Sequence, residues 1–303
     1  MRYLVFGSLN IDRTYTVEHF VSPGETLAAE SMALYCGGKG FNQAVALSRA
    51  GARVAFAGAV GEDGGMLVEA LESEGIDTQR LRRLPGATGH AVIQVDKEGR
   101  NCILILAGTN GQIGEEDVKK ALSGFGPGDA VVLQNEITCV DRILMEARQR
   151  GMTVVLNPSP CDRRALSYDL SLVDILLINE GEGLTVANVE REEDILRTLR
   201  GRYPGLQVVL TLGERGAVYM DAHGDVVRCG AYRVRAVDTT AAGDTFTGYF
   251  LSQLLESGDS RRALLLASVA SGIAVSRRGA SASIPGLREV LEAAQSAEVD
   301  DVV

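Results

Sequence analysis

The chain has 303 residues, 46% apolar and 23% charged, a balance that excludes disordered and fibrous classes and allows a large buried core. Its formal charge of −10 at pH 7 repels polyanions, so duplex nucleic acid is disfavoured as a partner and any phosphate must be held by local features. Five cysteines, Cys36, Cys102, Cys139, Cys161 and Cys229, lie far apart with no CxxC spacing, which fits neither a disulfide framework nor a zinc site and suggests a reducing, cytoplasmic setting.

At the amino end, "MRYLVFGSLNID" carries an apolar run too short for a signal-peptide core and reads as a first strand over 3–7. Region 12–36 breaks the pattern, and "CGGKGFNQAVALSRAG" (36–51) then opens a helix over 41–50 that Gly51 stops. A strand at 53–61 and a helix at 66–75, closed by Gly75, follow. Region 88–106 alternates apolar and polar residues around "KEGR", the pattern of a hairpin outside the main sheet. Strands are predicted at 130–136, 153–158, 174–180 and 208–213, with helices at 138–150, closed by Gly151, and at 192–201. Their near-continuous apolar runs are those of parallel strands covered on both faces, so the whole chain, 1–303, reads as one doubly wound α/β domain. Segments 12–36 and 88–106 are expected to form one small β-layer, either covering a ligand crevice or serving as a passive surface. The longest apolar run, 263–275, falls short of a membrane span and reads as a buried helix.

Between "RVRAV", read as a strand, and the helical "FTGYFLSQLLE" lies "DTTAAGDTFTG" (238–248). Small residues at Ala241, Ala242 and Gly243 let backbone N–H groups approach a ligand, and a helix amino terminus attracts an anion such as phosphate. An acid there, Asp244, would repel that anion. It is better placed as a base for an attacking hydroxyl, or else it is simply a helix cap. The glycine-rich 36–51 segment does not satisfy GxxxxGK[ST], because Ala33 and Gly40 break it, and no GxGxxG follows the first strand. A P-loop and a nicotinamide-dependent oxidoreductase therefore lack their fingerprints. His19, His90 and His223 show no HExxH-like spacing.

Taken together, "GSLNID" (7–12), "GGKGFNQA" (37–44), "INEGE" (178–182), "TLGERG" (211–216), "DTTAAGDTF" (238–246) and "RRGASASIP" (277–285) resemble the ribokinase-like (PfkB) carbohydrate kinases over nearly the whole chain. The resemblance implies a three-layer fold, a central mostly parallel sheet between helices, with a small β-sheet lid that often pairs two copies as a homodimer. It implies transfer of the γ-phosphoryl of ATP to the 5-hydroxyl of D-ribose, with kinases of 2-deoxyribose, fructose or a nucleoside, and a catalytically silent sugar-binding regulator, as alternatives.

Carried over residue by residue, Asp244 is implied as the base, with Ala242 and Gly243 lending amides to the phosphoryl group. Asn10, Asp12, Gly38, Lys39, Asn42 and Glu136 are implied as sugar ligands, and their mixed donors and acceptors suit a polyhydroxylated pentose. Turn chemistry after the first strand is the alternative for Asn10 and Asp12. Asn179 and Glu182 match an NxxE element that helps hold Mg²⁺ through its waters, although a surface acid run explains the acids equally well. Thr211, Gly213 and Gly216 match a nucleotide-binding turn. Asp238, Thr240, Ala274, Arg277, Gly279 and Ser283 match a monovalent-cation site for K⁺ beside the anion turn. Two positions depart from the family's pattern. Ser268 stands where some members place a histidine beside the adenine, and Phe41 is bulkier than the alanine often found there, which raises the expectation of a reshaped substrate pocket.

Overall fold

A computed structural model of the chain describes residues 1–295. Strand β1 (Arg2–Phe6) leads into β2 (Asn10–Thr16) and β3 (Ser31–Gly37), and α1 (Lys39–Arg49) returns the chain to β4 (Arg53–Val60), α2 (Gly65–Ser73) and β5 (Asp77–Arg83). Next come β6 (Gly89–Val95), β7 (Asn101–Leu106), α3 (Glu115–Ala121), β8 (Ala130–Gln134), α4 (Val140–Gln149) and β9 (Thr153–Asn157). After these follow β10 (Ile175–Asn179), α5 (Glu180–Ala187), α6 (Glu192–Arg202), β11 (Gln207–Thr211), β12 (Ala217–Met220) and β13 (Val226–Cys229). Helices α7 (Ala242–Ser257), α8 (Ser260–Val275) and α9 (Leu287–Ala294) complete the described chain.

Nine strands form the main sheet in the order β13-β12-β11-β10-β9-β8-β1-β4-β5, parallel except for the antiparallel β12 and β13 at one edge. Alternate residues of each strand feed opposite faces. Tyr3 and Val5 join the core beneath α1, α7 and α8, while Leu4 and Phe6 join the core beneath α3, α4 and α6. Burial on both sides is why these strands are apolar almost without interruption. The apolar run ends at the carboxyl edge of the strands. There Gln134 pairs in register with Asn157, and Asn179 with Thr211, so one rim of the sheet is lined with amides and a hydroxyl.

The second sheet has the order β3-β2-β6-β7, with β2 and β6 parallel and the outer pairs antiparallel. Its strands come from regions 12–36 and 88–106 as the alternation predicts, and the turn at 96–100 is held by Asp96, whose Oδ1 accepts from the amides of Glu98 and Arg100 at 3.0 and 2.9 Å.

Several expectations need correction. Segment 233–237 is not a strand. It is mostly exposed, and its backbone bonds go to helix α8, as in Val237 N–H to Val275 O at 2.8 Å, because the sheet has already ended at β13. Asn10 and Asp12 lie within β2 rather than in a turn. Phe41 is 2% exposed and packs into the main core, and it lines neither of the two cavities at the amino end of α7. Strands β5, β12 and β13 and helices α3, α5 and α9 were not legible as separate elements.

Candidate active site

Helices α1 and α7 lie in close contact because Gly248 has no side chain: a Cβ there would come within 2.4 Å of the Ala46 Cβ. One turn back along each helix, Asn42 and Gln43 of α1 meet Asp244 of α7. Asn42 Nδ2 donates to Asp244 Oδ2 at 3.1 Å, and Gln43 Nε2 donates to Asp244 Oδ1 at 2.9 Å. The Asp244 side chain is therefore not the cap of α7. The N-cap is Ala241, in the left-handed region at φ 59°, and the Asp244 carboxylate, 7% exposed, is bound by the neighbouring helix. The first amides of α7 have no acceptor within the helix; that of Ala242 donates to Thr239 O at 3.3 Å, and Ala242, Gly243 and Asp244 all line the same cavity.

On the other side of Asp244, Gly38 caps α1 at φ 94°, a conformation that L side chains rarely adopt, and turns the chain from β3 into the helix. The amide of Lys39 and the Ser8 hydroxyl both donate to Glu136 Oε2, at 2.9 and 2.5 Å. Asp12 stands close enough to Glu136 to feel its charge. Burial first and Glu136 second push its carboxyl pKa up to about 6. Asn10 Oδ1 accepts from Asn110 Nδ2 at 2.8 Å, which leaves its own amide group to serve as a donor. Burial works against the charge of Lys39, but Asp244, Glu136 and Glu182 outweigh it and raise its pKa above the ordinary value. Asn42 Oδ1 is buried without a partner, an acceptor beside Asp244 suited to a hydroxyl donor.

A cavity of about 250 Å³ is lined by Lys39, Asn179, Glu182, Thr211 and Asp244 together with Ala242 and Gly243. A second, of about 570 Å³, shares Thr211, Ala242 and Gly243 with it and continues past Gly213, Gly216 and Ser268. The amino end of α7 is thus the floor common to both. The larger cavity has apolar walls in Phe246 and Val275. Its Ser268 hydroxyl is already engaged, donating to Gly230 O at 2.8 Å and accepting from Tyr232 N–H at 3.1 Å.

Asn179 and Glu182 form a capping box at the start of α5: Glu182 N–H donates to Asn179 Oδ1 at 2.9 Å, and Asn179 N–H to Glu182 Oε2 at 3.0 Å. The pair has a structural role as well as a place on the cavity wall. Among the described residues no group of three or more His, Cys, Asp or Glu is placed to hold a metal ion, so these two fit Mg²⁺ only in company with phosphate and water oxygens.

Segments 238–240 and 274–283 are stitched together by Asp238. Its Oδ1 accepts from Thr240 N–H and Oγ1 at 2.9 and 2.6 Å, and its Oδ2 accepts from Gly279 N–H at 2.9 Å. Desolvation opposes ionisation of Asp238, but these donors prevail and lower its pKa. Ala274 O accepts from Arg277 N–H at 3.1 Å, the Arg277 side chain pairs with Glu289, and the Ser283 hydroxyl donates to Ala280 O at 2.7 Å. What this loop can offer a cation is therefore mainly backbone carbonyl oxygen.

A family model described as pfkB family carbohydrate kinase matches residues 2–287. The chain belongs to this family. It is similar to the ribokinase of Haemophilus influenzae, at 37% identity over 298 residues, 95% of this chain and 96% of that protein. It is also similar to the deoxyribokinase of Salmonella typhi, at 32% over 304 residues, covering 96% and 98% of the two chains. The solved structure of Arabidopsis thaliana ribokinase complexed with ribose and ATP superposes with a TM-score of 0.85 at 27% identity, covering 97% of this chain and 98% of that one. As a pfkB-family carbohydrate kinase, the chain is a phosphotransferase.

Sequence reasoning missed Ser8, Gln43, Gln134, Asn157 and Ser159, all of which touch the site. Gln134 and Asn157 are the last residues of β8 and β9, inside the predicted strands 130–136 and 153–158, and a polar residue at the carboxyl end of a buried strand is the signal that marks them.

Proposed function

We propose that this kinase transfers the γ-phosphoryl of ATP to the primary 5-hydroxyl of D-ribose, giving D-ribose 5-phosphate. The observation that carries this reading is the buried Asp244 at the amino end of α7, where the two cavities share Ala242 and Gly243. ATP fits the larger cavity with its phosphates toward that shared floor, and the sugar fits beside Asn10, Asp12, Gly38, Lys39, Asn42 and Glu136. The Arabidopsis ribokinase complex with ribose and ATP supports both ligands.

In this scheme Asp244 takes the proton from the sugar hydroxyl as its oxygen attacks phosphorus in line with the departing ADP. The amides of Ala242 and Gly243 meet the charge on the transferring group, and Lys39, kept charged by its carboxylate neighbours, adds to that field. Asp12 and Glu136 accept from sugar hydroxyls and the Asn10 amide donates. Asn42 Oδ1, otherwise without a donor, accepts from the sugar. Thr211, Gly213 and Gly216 form the turn against the nucleotide, and Ser268 acts there as wall rather than as a base-reading donor. Asn179 and Glu182 would hold Mg²⁺ through its waters, and the ion would neutralise phosphate charge. The carbonyls around Ala274, Arg277, Gly279 and Ser283, with Asp238 and Thr240, would hold K⁺ and stiffen the turn that aims the α7 amides. Equal turnover in sodium-only and potassium buffers would reject that ion.

The small sheet is read as a cover over the sugar and as the contact between two copies. Supporting this, Leu104 and Ile105 of its edge strand are 72% and 62% exposed, alongside Met32, Leu34 and Tyr35. A second reading of the acceptor, 2-deoxyribose, is favoured by the deoxyribokinase relative. Initial-rate ADP production with Mg-ATP and K⁺ on D-ribose, 2-deoxyribose, fructose and a nucleoside panel tests the assignment. Preference for D-ribose is expected, and preference for another acceptor replaces the substrate while leaving the kinase chemistry in place.

A further inference from the structure

Gln43 is fully buried, and both its amide hydrogens and its carbonyl oxygen are hydrogen-bonded. Its Nε2 donates to Asp244 Oδ1 at 2.9 Å and to Asn157 Oδ1 at 3.1 Å, and its Oε1 accepts from Gln134 Nε2 at 2.6 Å. Side-chain amides can be turned either way in principle, but here the direction is anchored. Asn157 Nδ2 donates to the backbone carbonyl of Leu177 at 2.9 Å, and a carbonyl can only accept. Asn157 must then present its oxygen to Gln43, and Gln43 must present its NH₂ to both Asn157 and Asp244.

The chain continues outward from the same point. Asn157 Nδ2 also donates to Ser159 Oγ at 3.2 Å, and Ser159 Oγ donates to Glu182 Oε1. From Gln43 the donors run outward to two carboxylates, directly to Asp244 at one end and through Asn157 and Ser159 to Glu182 at the other, while Gln134 donates into Gln43 from behind. Such a directed network in a buried setting fixes the geometry of its ends more firmly than isolated bonds do.

We infer that Gln43 is a positioning residue for phosphoryl transfer, holding the Asp244 carboxylate rotationally fixed. With Oδ1 occupied by Gln43, Oδ2 is presented on the Asn42 side, where the unpartnered Asn42 oxygen marks the place of a sugar hydroxyl. The inference rests on Asp244 being the base, and it adds that the orientation of this base is set by an amide that touches neither substrate.

A four-member cycle tests it: the native enzyme, Gln43→Met, Asp244→Asn and the double variant, each measured for kcat, sugar KM and thermal midpoint. Gln43→Met keeps the volume and removes both donors. The expected result is a kcat lower by about 30-fold with sugar KM unchanged, as misplacement of a reacting group gives. In the Asp244→Asn background the same change lowers kcat no further. A native kcat in Gln43→Met, or an equal proportional loss in both backgrounds, overturns the positioning role while leaving Asp244 as base. Full turnover in Asp244→Asn removes the base assignment and the inference with it. If Gln43→Met does not fold, the cycle is run with Gln134→Met. Gln134 Oε1 has no partner, so that variant gives up one hydrogen bond and leaves Gln43 Oε1 without its donor, loosening the Gln43 side chain while its own two donated bonds remain. A smaller kcat loss, again absent in the Asp244→Asn background, is expected, and no loss overturns the role.

Discussion

Strand β1, central in the main sheet, is buried from Tyr3 to Phe6, whereas every residue of β7, at the edge of the small sheet, is exposed. The central strands of the main sheet are buried on both faces, and the polar residues Gln134 and Asn157 at their carboxyl rim are held by hydrogen bonds to rigid neighbours. The small sheet offers the site the inner end of β2 and leaves an apolar outer face uncovered. The proposed base and phosphate floor stand at the main sheet's rim on a helix packed against another helix, while Asp12, a proposed sugar ligand, belongs to the less buried sheet. In the proposed scheme the base sits on rigid elements, and of the sugar ligands only Asn10 and Asp12 come from the small sheet.

The largest expected effect is at the rigid end. Asp244→Asn should lower kcat by about 10³-fold while calorimetric sugar binding persists. Next, Leu4→Ala in the main sheet should cost about 3 kcal/mol in denaturant unfolding. A comparably small loss there and in β7 would erase the contrast between the sheets.

Asp12 sharpens the comparison through pH. Because burial and Glu136 raise its pKa to about 6, the folded chain holds this proton more tightly than the unfolded chain. The stability linked to it is full in acid and is lost as pH rises from the ordinary carboxylate range through about 6. Asp12→Asn should therefore raise the melting temperature at pH 7 relative to native, with the gain fading in acid. If Asp12 accepts from the sugar as proposed, it does so in the ionised form, and sugar KM should rise as pH falls through about 6 in the native enzyme. The variant should show a KM higher by about 10-fold with that acid limb flattened. The smallest effect is expected on the outer face, where Leu104→Ser should change monomer stability by no more than about 0.5 kcal/mol. Sedimentation should show weaker self-association, and an unaltered oligomeric state would remove this face from the contact.

The legible parts of the site were those written in contiguous, backbone-driven patterns. "GGKG" before a helix and "AAGD" at a helix start can be read locally, because glycine freedom and helix-end amides act over a few residues. The role of Asp244 could not be separated from capping until α1 was seen to supply both donors. Asn179 and Glu182 proved to be a capping box and cavity wall at once.

By itself the sequence determined the alternation of buried strands with helices and the two interrupting β segments, since burial on both faces demands long apolar runs and burial on one demands alternation. Only the tertiary structure decided that Gln43, Gln134, Asn157 and Asp244 form one directed network. Those residues are separated by up to 201 positions, and their pairing depends on strand register and on the close approach at Gly248, which no local pattern encodes.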